Sequence, residues 1–313
     1  MPSLVFDVGG TKTRAGLFDS STSSLVRAAL TETPNHLNFP DASFDELLDR
    51  LLDDMCRLGD DVAEGAPVTA INVGFAGPVA PNGNVLAAPT IWGARSGPPD
   101  ALRKGLACRW PNARVAIMND VTAAGYRYLS SPDDEFCIVT VSSGIGNKMF
   151  VNGRPLVGRG GQGGELGHLL VDSSDDAPLC ECGGRGHLGA VSSGRAALEY
   201  ARKRGLIGTS ADLAAAFKRA EPWAIQVIEH VAAPLGWALA AMHMAIGVAR
   251  FVLIGGFALA LGESYRQLVA RAAEERCWQC AGDWPTMVEL GVDDDLSGLL
   301  GAGRVGSLQD RTP

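Results

Sequence analysis

Short apolar runs that end in glycine-rich turns recur along this chain, and the first of them, Leu4 to Phe18 (LVFDVGGTKTRAGLF), predicts a β-hairpin turning at Gly9-Gly10. A different spacing follows. Phe44, Leu47, Leu48, Leu51, Leu52 and Met55 recur at helical intervals, Ser43 and Glu46 make a capping box, and Gly59 is expected to close the helix. Val68 to Phe75 is a buried strand entering the turn Ala76-Gly77-Pro78, Pro89 to Pro99 is a loop, and Val115 to Met118 is a strand delivering Asn119 and Asp120 to a helix over Val121 to Leu129. The opening pattern then returns: strand Phe136 to Val141, small-residue turn Ser142 to Gly146, and Met149 to Val151 leading to the hairpin turn Asn152-Gly153. Gly194 to Ala249 is helical with a break near Gly205 to Thr209. Beyond it lie a buried strand, Phe251 to Ile254, ending at Gly255-Gly256, a helix through Glu275, a strand at Val288 to Leu290 and a last helix from Ser297.

This alternation predicts an α/β protein with mixed sheets. The two strand, Gly-turn, strand units suggest a duplicated architecture. Residues 1–118, joined by the helix 297–313, are expected to form a small N-terminal lobe, and 119–296 a larger C-terminal lobe.

Composition narrows the class. A chain of 313 residues with 46% hydrophobic content buries a large core. Its net charge of -8 argues against a general nucleic-acid binder, because phosphate contact needs clustered Lys and Arg. Val231 to Ala249 is uncharged and near membrane-spanning length, but it holds Pro234 and runs into a strand, so a buried helix is expected and no membrane partner. Met1 lies six residues before Asp7, which leaves the expectation of no signal peptide and no N-terminal DNA-binding domain. Seven cysteines then fit a cytoplasmic, reducing setting, with thiols or metal rather than disulfides.

Chemistry concentrates at the strand ends. Gly9 and Gly10 can take backbone angles denied to other residues and leave main-chain N–H groups open to an anion, with Thr11, Lys12 and Arg14 at the same mouth. Asp7 is too costly to bury unpaired and should face a cation or donor. Taken alone, Asn119-Asp120 would read as a plain helix cap. Gly158-x-Gly160-x-x-Gly163 matches a dinucleotide fingerprint in letters but lacks its strand and helix context, and Cys277-x-x-Cys280 reads as two packed thiols.

Taken together, Asp7-x-Gly9-Gly10-Thr11-Lys12-x-Arg14, Asn119-Asp120, Ser143-Gly144-Ile145-Gly146, Gly164-Glu165-x-Gly167-His168, Cys180-x-Cys182-Gly183-x-x-Gly186 and Gly255-Gly256 resemble, in order and spacing, the ROK family of repressors, open reading frames and sugar kinases. The resemblance covers nearly the whole chain. It implies the actin-like ATPase fold, hexokinase-type and ribonuclease H-like, with two lobes around a central cleft that takes ATP with Mg²⁺ and a polyol. By the same resemblance Asp120 is the general base. Asn119, Glu165, His168, Thr90 and Gly77 meet the acceptor. Asp7, Gly9, Gly10, Thr11 and Lys12 form the first phosphate site, Ser143, Gly144 and Gly146 the second, and Gly255 and Gly256 line the nucleoside. His168, Cys180 and Cys182 resemble three ligands of the family's structural Zn²⁺; its fourth, a cysteine, is replaced here by His187, itself able to bind zinc. Dimers are common among members.

Three departures bear on the acceptor. Thr90 stands where sugar kinases of the family carry asparagine, Gly189 where they carry a glutamate that binds hydroxyls on the anomeric side, and Asn147-Lys148 where they usually have glycines. All three are expected at the acceptor or phosphate mouth. Losing a pocket carboxylate counts against glucose, because a site built around a hydroxyl discriminates strongly. A cyclitol has no anomeric centre, so the expected activity is that of a C7-cyclitol 7-kinase of the valienone or valiolone type, serving aminocyclitol natural products. The alternatives are a glucokinase or N-acylhexosamine kinase and, from another class, a non-catalytic sugar-sensing regulator.

Overall fold

The structure is a computed structural model that describes residues 2–158, 162–206, 208–278 and 282–309. It divides into two compact units, Met1–Ser130 with Val157–Gln162 and Asp294–Pro313, and Ser131–Leu156 with Gly163–Asp293.

In the first unit β1 (Ser3–Val8), β2 (Lys12–Asp19), β3 (Ser24–Glu32), β4 (Ala70–Phe75) and β5 (Arg114–Asn119) form a sheet of order β3-β2-β1-β4-β5. β1, β2 and β3 are antiparallel; β1, β4 and β5 are parallel. Leu4, Phe6 and Val8 pack with Leu47, Leu51 and Met55 of α1 (Phe44–Ala63) and with Leu102 and Leu106, which lie beyond α2 (Pro89–Trp92) on α3 (Ala101–Arg109). Val5 points the other way and packs with Ala123 of α4 (Asp120–Tyr126). Successive strand residues alternate faces, so Asp7 shares the face of Val5 and α4.

The Ser43–Glu46 capping box is present, but Gly59 does not end α1. The helix runs on to Ala63 and is capped by Glu64 with φ 45°. A Cβ on Gly59 would lie 2.9 Å from side-chain atoms of Leu4 and Trp110, so this glycine permits close packing inside the helix.

In the second unit β6 (Phe136–Val141), β7 (Ile145–Val151), β8 (Arg154–Pro155), β9 (Phe251–Ile254) and β10 (Val288–Leu290) are ordered β10-β9-β6-β7-β8. β6, β7 and β8 are antiparallel, while β6, β9 and β10 are parallel. Read from β8, this is the path of the first sheet, so the repeat visible in the sequence is a repeated sheet topology. The expected helical stretch breaks twice, into α6 (Gly194–Arg202), α7 (Ser210–Lys218) and α8 (Pro222–Ile246), preceded by α5 (Leu188–Ser192). α8 is long and apolar enough to cross a membrane by length and composition, yet Val231, Leu235 and Leu239 are buried in this unit's core with Val139, Leu253 and Val269. α9 (Gly256–Leu261), α10 (Glu263–Arg276) and α11 (Trp284–Met287) complete the unit. Cys277 caps α10; Cys280 and Gly160 lie outside the described residues.

The last helix, α12 (Ser297–Gln309), returns to the first unit, where Leu299 and Ala302 pack on Val5, Phe18 and Ala123. That packing keeps α4 with the first unit, so the boundary expected after Met118 falls after Ser130. Residues 310–313 of the expected last helix lie outside the described residues.

Candidate active site

Parallel strands bring their C-terminal ends to one edge of a sheet. β1, β4 and β5 thereby deliver Asp7 with the Gly9-Gly10 turn, Gly77, and Asn119-Asp120 to the same end of the first sheet.

Asn119 is both the cap of α4 and the holder of Asp120. Its Oδ1 accepts from the Thr122 N–H at 3.1 Å, while its Nδ2 donates to the Gly77 carbonyl at 3.0 Å and to Asp120 Oδ1 at 2.8 Å. The Val121 N–H donates to the same Asp120 oxygen at 2.9 Å. Burial, with the charge of Asp7 adding to it, pushes the Asp120 carboxyl up to about 7 against those donors. The carboxylate is therefore oriented by hydrogen bonds yet basic enough to take a proton near neutrality.

Asp7 pairs across the hairpin with Arg14, whose guanidinium lies 3.5 Å from Asp7 Oδ2 and 2.9 Å from Asp295 Oδ2. Burial raises the Asp7 carboxyl, Arg14 opposes the rise and Asp295 adds to it. Among the described residues neither Gly9 nor Gly10 adopts positive φ, so the special backbone angles expected of them are not used. What glycine supplies is close approach. A Cβ on Gly10 would lie 2.7 Å from the Cβ of Thr90 on α2. Thr11 and Lys12 are exposed at the turn.

In the second unit the parallel ends of β6 and β9 bring together the Ser143-Gly144 turn, with Gly146 opposite Thr140, and Gly255-Gly256. Gly255 has φ 95°, and a Cβ there would lie 2.6 Å from the Val141 carbonyl oxygen, so only glycine fits. A Cβ on Gly144 or Gly256 would meet open space, which leaves room for a ligand.

Glu165 and His168 flank a short 3₁₀ turn (Leu166–His168) that lies against β7. Asn147 and Lys148, expected at the acceptor or phosphate mouth, are buried here. As successive β7 residues they hold this segment: Asn147 Oδ1 accepts from the Leu166 N–H at 3.0 Å, and Lys148 Nζ donates to the Gly163 carbonyl. Gly189 sits beside the same turn, its missing Cβ 3.2 Å from the Gly167 carbonyl oxygen.

His168, Cys180, Cys182 and His187 place their donor atoms within 4.8 Å of one another. Zinc bonds of 2.0–2.3 Å in a tetrahedron separate donors by about 3.3–3.8 Å, so a small inward shift would complete a site. Cys182 Sγ is already 3.2 Å from His187 Nδ1, and Cys180 Sγ 3.8 Å from His168 Nδ1. The loop geometry depends on Gly186, φ 66°, where a Cβ would overlap the Asp172 carbonyl.

Comparison with known proteins bears on this arrangement. A profile of the ROK family matches residues 4–305. The chain belongs to the ROK family. It is 36% identical, over 99% of its length and 95% of the relative's, to a C(7)-cyclitol 7-kinase of Streptomyces hygroscopicus subsp. limoneus. It is 28% identical to a kanosamine kinase of Amycolatopsis mediterranei, covering 96% of this chain and 94% of that one. Among solved structures, the ROK hexokinase from Thermus thermophilus superposes with a TM-score of 0.78 at 27% identity, covering 99% of this chain and 100% of that one. The fold is accordingly the actin-like ATPase fold of ROK sugar kinases. Reading the sequence alone missed Asp295 and the segment Thr33–Asn38, which reach the first site through contacts that no motif announces.

Proposed function

We propose that this chain is an ATP-dependent kinase that transfers the γ-phosphoryl group to the exocyclic primary hydroxyl of a C7-cyclitol of the valienone or valiolone type. The observation that carries this reading is Asp120, raised to about 7 and fixed by Asn119 beside Gly77 and Asp7. A base with a pKa near the working pH is well matched to taking a hydroxyl proton. As the acceptor oxygen bonds to the γ-phosphorus, its proton passes to Asp120, the bond to the β-phosphate oxygen breaks and ADP leaves.

Asn119 keeps the carboxylate aimed and, with Gly77 and Thr90 of the same unit, would position the acceptor; Glu165 and His168 of the second unit are assigned to acceptor contact by the family pattern. In the first unit Gly9, Gly10, Thr11 and Lys12 would form one phosphate loop; in the second, Ser143, Gly144 and Gly146 would form another, with Gly255 and Gly256 lining the nucleoside. Asp7 would hold Mg²⁺, which neutralises phosphate charge when bound. The two-His, two-Cys donor set suits Zn²⁺, which would staple the segment presenting Glu165 and His168. On this reading the enzyme works as a cytoplasmic homodimer on small molecules, without nucleic acid.

Gly189 and Thr90 support the cyclitol, as does the name of the relative that matches at 36% identity. The kanosamine kinase relative favours a second reading, an amino-hexose or hexose kinase. Turnover on a panel of cyclitols, glucose, N-acetylmannosamine and kanosamine separates the two. The proposal expects valienone or valiolone to be the best acceptor, and preferred turnover of a hexose overturns it.

A further inference from the structure

The segment after β3 touches both loops that the proposed reaction would use in the first unit. The Asn35 side chain is 4% exposed and has all of its amide hydrogen-bonding groups engaged. Its Nδ2 donates to the Gly10 carbonyl at 2.9 Å and the Thr33 carbonyl at 3.2 Å, and its Oδ1 accepts from the Leu37 N–H at 2.9 Å and the Asn38 N–H at 3.0 Å. One residue on, the His36 N–H donates to the Ile91 carbonyl at 2.9 Å, on α2 beside Thr90. The His36 ring lies 2.9 Å from where a Cβ of Gly93 would stand.

We propose that Asn35 is a positioning residue that locks the first phosphate loop to the acceptor loop. The proposal rests on the kinase reading above. The carbonyl and N–H of a trans peptide point in opposite directions, so anchoring the Gly10 carbonyl aims the Thr11 N–H away from Asn35. A fixed N–H costs nothing to reorganise when an anion arrives, which is the advantage of a preformed site. The Thr33 N–H bonds the Thr11 carbonyl at 3.0 Å and fixes the next peptide in the same way. Because the same short segment is bonded to Ile91, and Gly10 abuts Thr90, displacing it disturbs the acceptor loop as well.

The test compares wild type with Asn35→Ala and Asn35→Asp. Aspartate keeps the acceptor facing Leu37 and Asn38 but loses both Nδ2 donations, so it removes the anchor to Gly10 together with the local bond to Thr33. Equilibrium binding of Mg·ATP without acceptor should weaken about tenfold in both variants, the size of one buried hydrogen bond to a loop. In turnover, KM for the acceptor should rise together with KM for ATP, a joint shift that a lesion of the phosphate loop alone would not give. Melting temperature tracks folding separately. Unchanged Mg·ATP affinity in a folded Asn35→Asp protein overturns the proposal, as does an acceptor KM that stays put while that for ATP rises. Failure of wild type to phosphorylate any polyol would instead sink the kinase reading and leave the binding measurement intact.

Discussion

The carboxylate of Asp7 occupies the space that a side chain on Gly298 would need: a Cβ there would lie 2.5 Å from Asp7 Cγ. The two residues are far apart in sequence, yet strand parity puts Asp7 on the face where α12 begins, and a helix N-terminus favours a nearby negative charge. Gly298→Ala should push Asp7 out of place. Activity is expected to fall at least about tenfold, by analogy with the loss caused by small misplacements in active sites. Steady-state kinetics check it, and full activity would show that Asp7 has no positional role.

In the proposed mechanism Asp120 sets the acid limb of the pH profile. With its carboxyl at about 7 in the free protein, kcat/KM should decline below that pH by about tenfold per unit. In Asp7→Asn the residual activity should show this limb at lower pH, because the Asp7 charge is the second cause of the rise. Burial, the first cause, remains, so the limb should stay above the ordinary carboxylate range.

Gly189→Glu should restore a carboxylate beside the turn that carries Glu165 and His168. The neighbouring Gly167 carbonyl must yield by a few tenths of an ångström. The ratio of kcat/KM for glucose to that for a cyclitol is expected to rise about tenfold, in line with the gain from one buried polar contact. Competition assays with both acceptors read the ratio directly.

Elemental analysis should find one zinc per chain, and its loss should lower the melting temperature and raise the acceptor KM. Cys182→Ala should reproduce chelation. Gly186→Ala should act through the same loop, since a Cβ there overlaps the Asp172 carbonyl and φ is 66°; a loss on the order of 3 kcal/mol is expected.

Much of this fold was legible because period and punctuation agreed. The strands Phe136–Val141, Phe251–Ile254 and Val288–Leu290 have the bounds their apolar runs suggest. β3 was missed because it is an edge strand with mostly exposed or partly exposed residues, which leaves no alternating apolar signal. Gly59 misled because a glycine that admits packing and a glycine that stops a helix look alike in sequence. Motif order singled out Asp7, Asn119 and Asp120, which the structure brings to the same end of the first sheet. The roles of Asn35, Asp295 and Gly298 depend on contacts between distant segments, and spacing carries no trace of those. Asn147 and Lys148 were visible as departures, but their bonds to Leu166 and Gly163 were not.

The most direct test replaces Asp120 by asparagine, which keeps the shape and the hydrogen bonds from Asn119 and Val121 to Oδ1. Folding is verified by melting. A carboxyl raised in the folded state destabilises when ionised, fully above pH 7 and not below about pH 4, so the variant should melt higher than wild type at pH 8, with the gap closing toward pH 4. With Mg·ATP still bound at wild-type affinity, phosphoryl transfer to the acceptor should drop by about 10³-fold. A folded, ATP-binding Asp120→Asn protein that keeps wild-type kcat would contradict the account.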